Sequence, residues 1–179
     1  MKNDIHSLII GLMMALGIGP APMAARGRVA VSTNLVDYVD GGTLNVDTSL
    51  SLSEHLTIGG AVRYNPYDAN NRQRTFSLGA RWWPWYVYSG WWLSGNANYQ
   101  EFSDTSSYLR EGDRYGASLR LGYSHLISKH FNVDIGWGLW GGYETYREYG
   151  CGTCARIREK GTNYFFAPDS FILSIAYIF

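Results

Sequence analysis

The sequence predicts an all-β protein: an eight-stranded antiparallel transmembrane β-barrel of the outer-membrane type, following a cleaved signal peptide. Three observations predict it. From residue 28 onward, apolar and polar residues alternate with a period of two through eight successive segments. The connections between those segments alternate between compact turns and longer polar loops, as in barrels with one periplasmic and one exterior end. The composition is the third. Aromatic residues are 16% of the 179 and charged residues only 17%, against roughly 25% charged in an ordinary soluble domain, yet mean hydropathy is −0.19.

Residues 1–27 read as a signal peptide and its cleavage region. A basic start is followed by an almost unbroken apolar run from Ser7 to Ile18 and then by small residues, with a cut after Ala25 or after Gly27. The run is too short for a bilayer-spanning helix, and no stretch of ~20 apolar residues follows it. Residues 28–179 are the single barrel domain. An exported chain places its two cysteines in an oxidising compartment.

The first segment sets Val29, Val31, Thr33 and Leu35 against Ala30, Ser32 and Asn34, and the second runs from Leu44 to Leu52. The third covers Leu56–Asn65, the fourth Thr75–Trp83, the fifth Trp91–Tyr99 and the sixth Tyr115–Tyr123. The seventh is Phe131–Glu144 and the last Phe171–Phe179. The apolar face so defined carries no charge. The opposite face holds Asp47, Arg63, Arg81, Arg120, Asp134 and Glu144, three cations and three anions, which a narrow lumen can neutralise among themselves. With residue numbers summing to about 254 across the sixth and seventh segments, Arg120 is expected beside Asp134; leaving either alone in a low-dielectric interior costs about 3–5 kcal/mol. Compact turns are expected at Ser53–His55, Pro84–Gly90 and Ser124–His130. Loops are expected at Pro66–Gln73, Glu101–Arg114 and Thr145–Ser170, with a short one at Asp37–Gly42.

Alternation alone does not say which face is inside, and a secreted soluble barrel that binds a small ligand would turn the apolar face inward. Lipid outside is favoured by the lumen charge balance and by two further features. Phe171, Leu173, Ile175, Tyr177 and Phe179 alternate to the C-terminus, an ending that resembles the signal read by the barrel assembly machinery. Trp82, Trp83, Trp85, Tyr86, Tyr88, Trp91 and Trp92 cluster at one compact turn and are expected to form an interfacial aromatic belt. Moving a charge to the lipid face should cost ~2–4 kcal/mol.

A barrel of eight strands has room for its own side chains or one small ligand, so a through-channel is not expected. The balance of Lys+Arg 15 against Asp+Glu 15 lacks the basic footprint of a nucleic-acid partner. No catalytic residue, cofactor site or metal site is expected. His6 belongs to the signal peptide, and His55, His125 and His130 lie on compact turns, where Ser124-His125 and Ser128/His130 are ordinary turn residues. Cys151 and Cys154, in the longest loop, are expected to form a local disulfide, with redox activity or metal binding as alternatives.

The chain resembles, over the whole expected mature part, the small Bacteroidota outer-membrane proteins grouped only as a domain of unknown function. The residues that carry the resemblance are Thr33-Asn34-Leu35, Tyr64-Asn65-Pro66-Tyr67, Ala80-Arg81-Trp82-Trp83, Gly116 through Tyr123, Phe131-Asn132-Val133-Asp134, the Cys151/Cys154 pair and Leu173–Phe179. The resemblance supplies no catalytic residues. It implies a part in fimbria assembly or anchoring, because members are encoded near fimbrial subunit genes. The expected function is binding or scaffolding at the cell surface through the outer loops. Expected partners are outer-membrane lipid and lipopolysaccharide, the barrel assembly machinery, and fimbrial or other surface proteins. An outer-leaflet lipid-modifying enzyme is the alternative.

Overall fold

The computed structural model describes residues 27–39, 42–66, 71–104, 109–150, 157–169 and 171–179. The signal-peptide expectation and the Cys151/Cys154 pair lie outside the described residues. Nine strands and one short helix follow in order: β1 (Val29–Asn34), α1 (Leu35–Val39), β2 (Leu44–Ser51), β3 (Leu56–Asn65), β4 (Asn71–Trp82), β5 (Gly90–Asp104), β6 (Arg110–Leu126), β7 (Phe131–Tyr149), β8 (Ile157–Pro168) and β9 (Ile172–Ile178). Each strand pairs antiparallel with the next from β1 to β7, and β9 joins β7 to β1, so the wall closes on itself. The eight-position barrel read from the alternation is the fold adopted, with β8 as an extra strand.

That extra strand replaces what the sequence suggested as the middle of a long loop. β7 pairs with β9 over Phe131–Gly136 and with β8 over Leu139–Tyr149, so β8 continues the wall beyond β9. Partner numbers sum to 307 on the β8 side (Leu139 with Pro168) and 308 on the β9 side (Gly136 with Ile172). One extra residue sits at the junction, and a one-residue slip exchanges the two faces of a strand. Odd-numbered residues of β8 therefore face the bore, whereas in β9 the even-numbered ones do. Pro168 can end a strand here because it has no N–H to contribute. Asp169 donates its N–H to the Gly138 carbonyl (2.9 Å) and turns its carboxylate inward.

Interior and exterior are inverted relative to a soluble protein. Outward-facing Val46, Val62, Phe76, Leu78, Leu93, Leu119, Leu121, Ile135 and Leu173 are exposed, while inward-facing Asn45, Thr57, Thr75, Ser94, Asn98, Ser118, Ser124 and Asn132 are buried. Phe171, Leu173, Ile175, Tyr177 and Phe179 all point outward, as their alternation predicts. Two aromatic rings bound this apolar surface. One, at the end with the short turns, includes Trp91 against Tyr123 (5.5 Å) and Tyr177 against Phe131 (5.2 Å) and Phe179 (4.8 Å). The other is a row of Tyr99, Tyr115 and Tyr143 with centroids 5.0 and 5.4 Å apart. Trp91 and Tyr99 lie eight residues apart on β5. At ~3.3 Å per residue and a tilt near 40°, the band is about 20 Å tall.

The wall is uneven. β6 and β7 share a ladder running from Arg110–Glu148 to Leu126–Asn132, whereas β1 and β9 share only Ala30–Ile178 to Asn34–Ser174. Above β1 the chain turns into α1, and β8 has β7 as its only ladder partner among the described residues. Asn34 and Asn45 close the join where β1 stops. The Asn34 N–H donates to the Asn45 side-chain oxygen (2.5 Å), and the Asn45 amide donates back to the Asn34 carbonyl (2.8 Å). The Asn34 side chain also accepts from the Leu173 N–H (2.9 Å) and donates to Phe171 O (3.0 Å), so one buried amide does the work of a missing stretch of ladder.

Candidate functional site

The candidate site is the bore, and its floor is aromatic. Trp83 and Trp92 are 0% exposed and pack at 6.5 Å, with Tyr88 edge-on to Trp83 at 5.8 Å and Val87 beside them. The expected aromatic belt is thus corrected in part. Trp82, Trp85, Tyr86 and Trp91 are exposed, but Trp83, Tyr88 and Trp92 plug the barrel. Period two requires this: in each Trp-Trp doublet one ring must face out and the next must face in. Room for Trp92 is made by Gly122 and Gly136, which pair with each other across β6 and β7. A Cβ on Gly122 would collide with the Trp92 ring, and one on Gly136 would lie 2.9 Å from it. At the neighbouring turn Gly90 has φ +78°, and a Cβ there would strike Trp85.

Above the floor the buried charges form pairs. Arg81 donates to Asp134 (2.9 Å) and lies 4.1 Å over the Trp92 ring, and Ser124 donates to the second Asp134 oxygen. Arg120 donates to Asp169 (2.5 Å), and Arg63 lies 3.0 Å from Asp37 and 4.0 Å from Asp169. Higher still, Arg110 (2.5 Å) and Arg114 (2.8 Å) both donate to Glu144. All six charges singled out in the sequence face the bore, but the expected Arg120–Asp134 pairing is wrong. β6 extends through Leu126, the turn centres on Lys129, and partner numbers sum to 258, placing Gly138 beside Arg120 and Ser124 beside Asp134. Asp47 lines a small lower cavity with Arg81, Arg120 and Asp134.

Four charges in these pairs were missed by the sequence reading: Asp37, Arg110, Arg114 and Asp169. Each falls in a segment read as a connection, or at its edge. Alternation of Arg110, Gly112 and Arg114 with Glu111 and Asp113 carries a strand signal only once both faces are allowed to be polar. β5, β6 and β7 rise past the tyrosine row in this way and, with β8, build a wall around the bore mouth.

Two cavities occupy the bore above Arg120. One of about 330 Å³ is bounded by Asp37, Arg63, Asn98, Gln100, Trp140 and Phe165 among others. A larger one of about 790 Å³ opens at the mouth between Arg72, Glu101, Asp113, Tyr146 and Lys160, and Gln73 borders both. At the mouth the Tyr146 hydroxyl donates to Glu159 (3.0 Å), which raises its pKa above the ordinary phenol value. The His55 and His130 Nδ1 atoms lie 3.0 and 2.9 Å from the backbone carbonyls of Trp83 and Ile178, at the opposite end from these cavities.

No curated protein matches this chain. A match over residues 9–179, nearly its entire length, shows that the chain belongs to the family described as protein of unknown function (DUF3575).

Proposed function

We propose that this protein is a non-enzymatic outer-membrane barrel with a plugged polar lumen, binding or scaffolding at the cell surface through its loop end. The observation that carries the reading is the inverted polarity of the wall. Leu78 and Leu119, near the middle of the apolar band, are 70% and 66% exposed, while Thr75 on β4 and Ser118, Arg120 and Ser124 on β6 are buried. In water such a surface would be an aggregation hazard, far beyond the few hundred Å² that soluble monomers expose. In a bilayer it is the expected lipid face, between aromatic girdles that match the two interfaces. Bilayer lipid and lipopolysaccharide are then its immediate surroundings, and the outward-facing, alternating Phe171–Phe179 segment is the one offered to the assembly machinery. The aromatic floor argues against a pore. The histidines at the turn end, engaged with backbone carbonyls, argue against catalysis at the mouth.

The location is tested by fractionation and by gel mobility with and without boiling. An outer-membrane fraction with a heat-dependent shift is expected; a soluble periplasmic protein without a shift would end the reading. The finer part of the proposal, a role in fimbria assembly or anchoring, follows the resemblance stated above. It predicts altered fibre number, length or attachment in a deletion strain with an unchanged lipid A profile. Normal fibres would count against fimbriae, and a missing lipid A modification would favour an enzyme.

A further inference from the structure

The 330 Å³ cavity has polar atoms with no partner in the protein. The Oδ1 atom of Asn98, a residue only 7% exposed, and the indole N–H of Trp140 both lack a hydrogen bond, and both residues line this space. An acceptor and a donor left unmade are each costly, so in the folded protein they are met by water or by a hydroxyl-bearing ligand that displaces it. The surrounding charges do not ask for a countercharge. Around the cavity Arg63, Arg114 and Arg120 are met by Asp37, Glu144 and Asp169 respectively, three against three. A ligand bearing net charge would upset that balance.

A hydroxyl meets the requirement, because it accepts from the indole N–H and donates to the amide oxygen. It serves equally well if the Asn98 amide is turned, presenting its NH₂ instead. Further hydroxyl partners are at hand in Gln73, Thr75 and Gln100, which are linked through the Gln100 amide (2.7 Å to Gln73, 3.2 Å to Thr75). Trp140 and Phe165, edge to face at 4.9 Å, supply an apolar surface for the C–H side of a ring. At ~30 Å³ per water, the cavity of about 330 Å³ equals about eleven water volumes, room for one sugar ring together with several waters. From these features we infer that the cavity binds one neutral sugar ring, reached from the mouth past Gln73. The inference rests on the barrel interior and stands independently of the membrane location.

The test uses the full barrel refolded in lauryldimethylamine oxide, a detergent without a sugar headgroup, with far-UV circular dichroism and tryptophan fluorescence as the control for folding. Glucose, galactose, mannose and N-acetylglucosamine are offered in saturation-transfer NMR titrations, with glucuronate as the charged comparison. At least one neutral sugar should receive saturation and bind more tightly than glucuronate. Asn98→Leu and Trp140→Phe should each weaken it about tenfold, the loss of one hydrogen bond. If Asn98→Leu does not fold, Trp140→Phe decides alone. Absence of transfer to all four sugars from folded protein would overturn the inference. So would undiminished binding in the folded variants, or a preference for glucuronate.

Discussion

Removing the Asp169 carboxylate is the most informative single perturbation of the bore. Arg120 and Asp169 have side chains 8% and 7% exposed, and the Arg120 Nε donates to the carboxylate at 2.5 Å. Arg63 lies 4.0 Å from the same carboxylate but is itself engaged by Asp37, so Asp169→Ala strands Arg120 above all. Breaking one side of a buried pair costs about 3–5 kcal/mol. The polar cavity beside Asp169 admits some solvation, which favours the lower end, about 3 kcal/mol. With an m-value near 2 kcal/mol/M, the urea midpoint should fall by about 1.5 M. The companion Arg120→Met/Asp169→Leu variant removes both charges and should recover most of the loss, since a buried pair is often replaceable by apolar residues of similar volume. Equilibrium urea unfolding in lipid vesicles, followed by tryptophan fluorescence, reads both. A midpoint within about 0.3 M of the parent for Asp169→Ala, or a double variant no better than the single, would refute the claim that this pair is a buried, mutually dependent unit.

Other substitutions test different parts of the wall. Leu119→Arg, at the middle of the apolar band, should destabilise the barrel in vesicles by ~2–4 kcal/mol by guanidinium unfolding, and unchanged stability would contradict a lipid-facing wall. Gly122→Val should cost about 1–3 kcal/mol or more through its collision with the Trp92 ring and the Ile135 carbonyl, read as a lower temperature for loss of the folded gel band; an unchanged temperature would contradict the close packing of Trp92 on this glycine. For the cysteine pair, maleimide should label the parent only after reduction. Cys151→Ser/Cys154→Ser should lose no more than about 2 kcal/mol, because the ring closed is so small.

Where one face of a strand must be apolar and the other polar, the sequence could be read closely. The staves around Leu44–Leu52 and Tyr115–Tyr123 alternate without interruption, and each side chain faces as the alternation requires. Past the tyrosine row that constraint lapses. In Arg158-Glu159-Lys160 both faces are charged, so β8 looked like loop. The extra residue between Pro168 and Ile172 hid it further, since outward residues are even-numbered before it (Tyr164, Phe166) and odd-numbered after it (Phe171, Leu173). Register was a different kind of failure. The hydrophobic pattern repeats every two residues, so it cannot distinguish a sum of 254 from 258, and only the position of the turn at Lys129 does. The Asn98–Trp140 cavity left no mark in the sequence, because both residues are ordinary members of an inward face.

The short join between β1 and β9 bears on the order of assembly. β9 follows every other stave along the chain, yet it is the piece that turns a sheet into a tube. Until it docks, the strands from β1 to β7 form an open ribbon with two bare edges and an apolar face, the kind of species that pairs with its neighbours in solution. Closure therefore depends on β9 pairing on both of its sides, with β7 and with β1. On the β1 side the contact is the five-residue ladder and the Asn34 amide that extends it, and on the β7 side it is the ladder from Phe131 to Gly136.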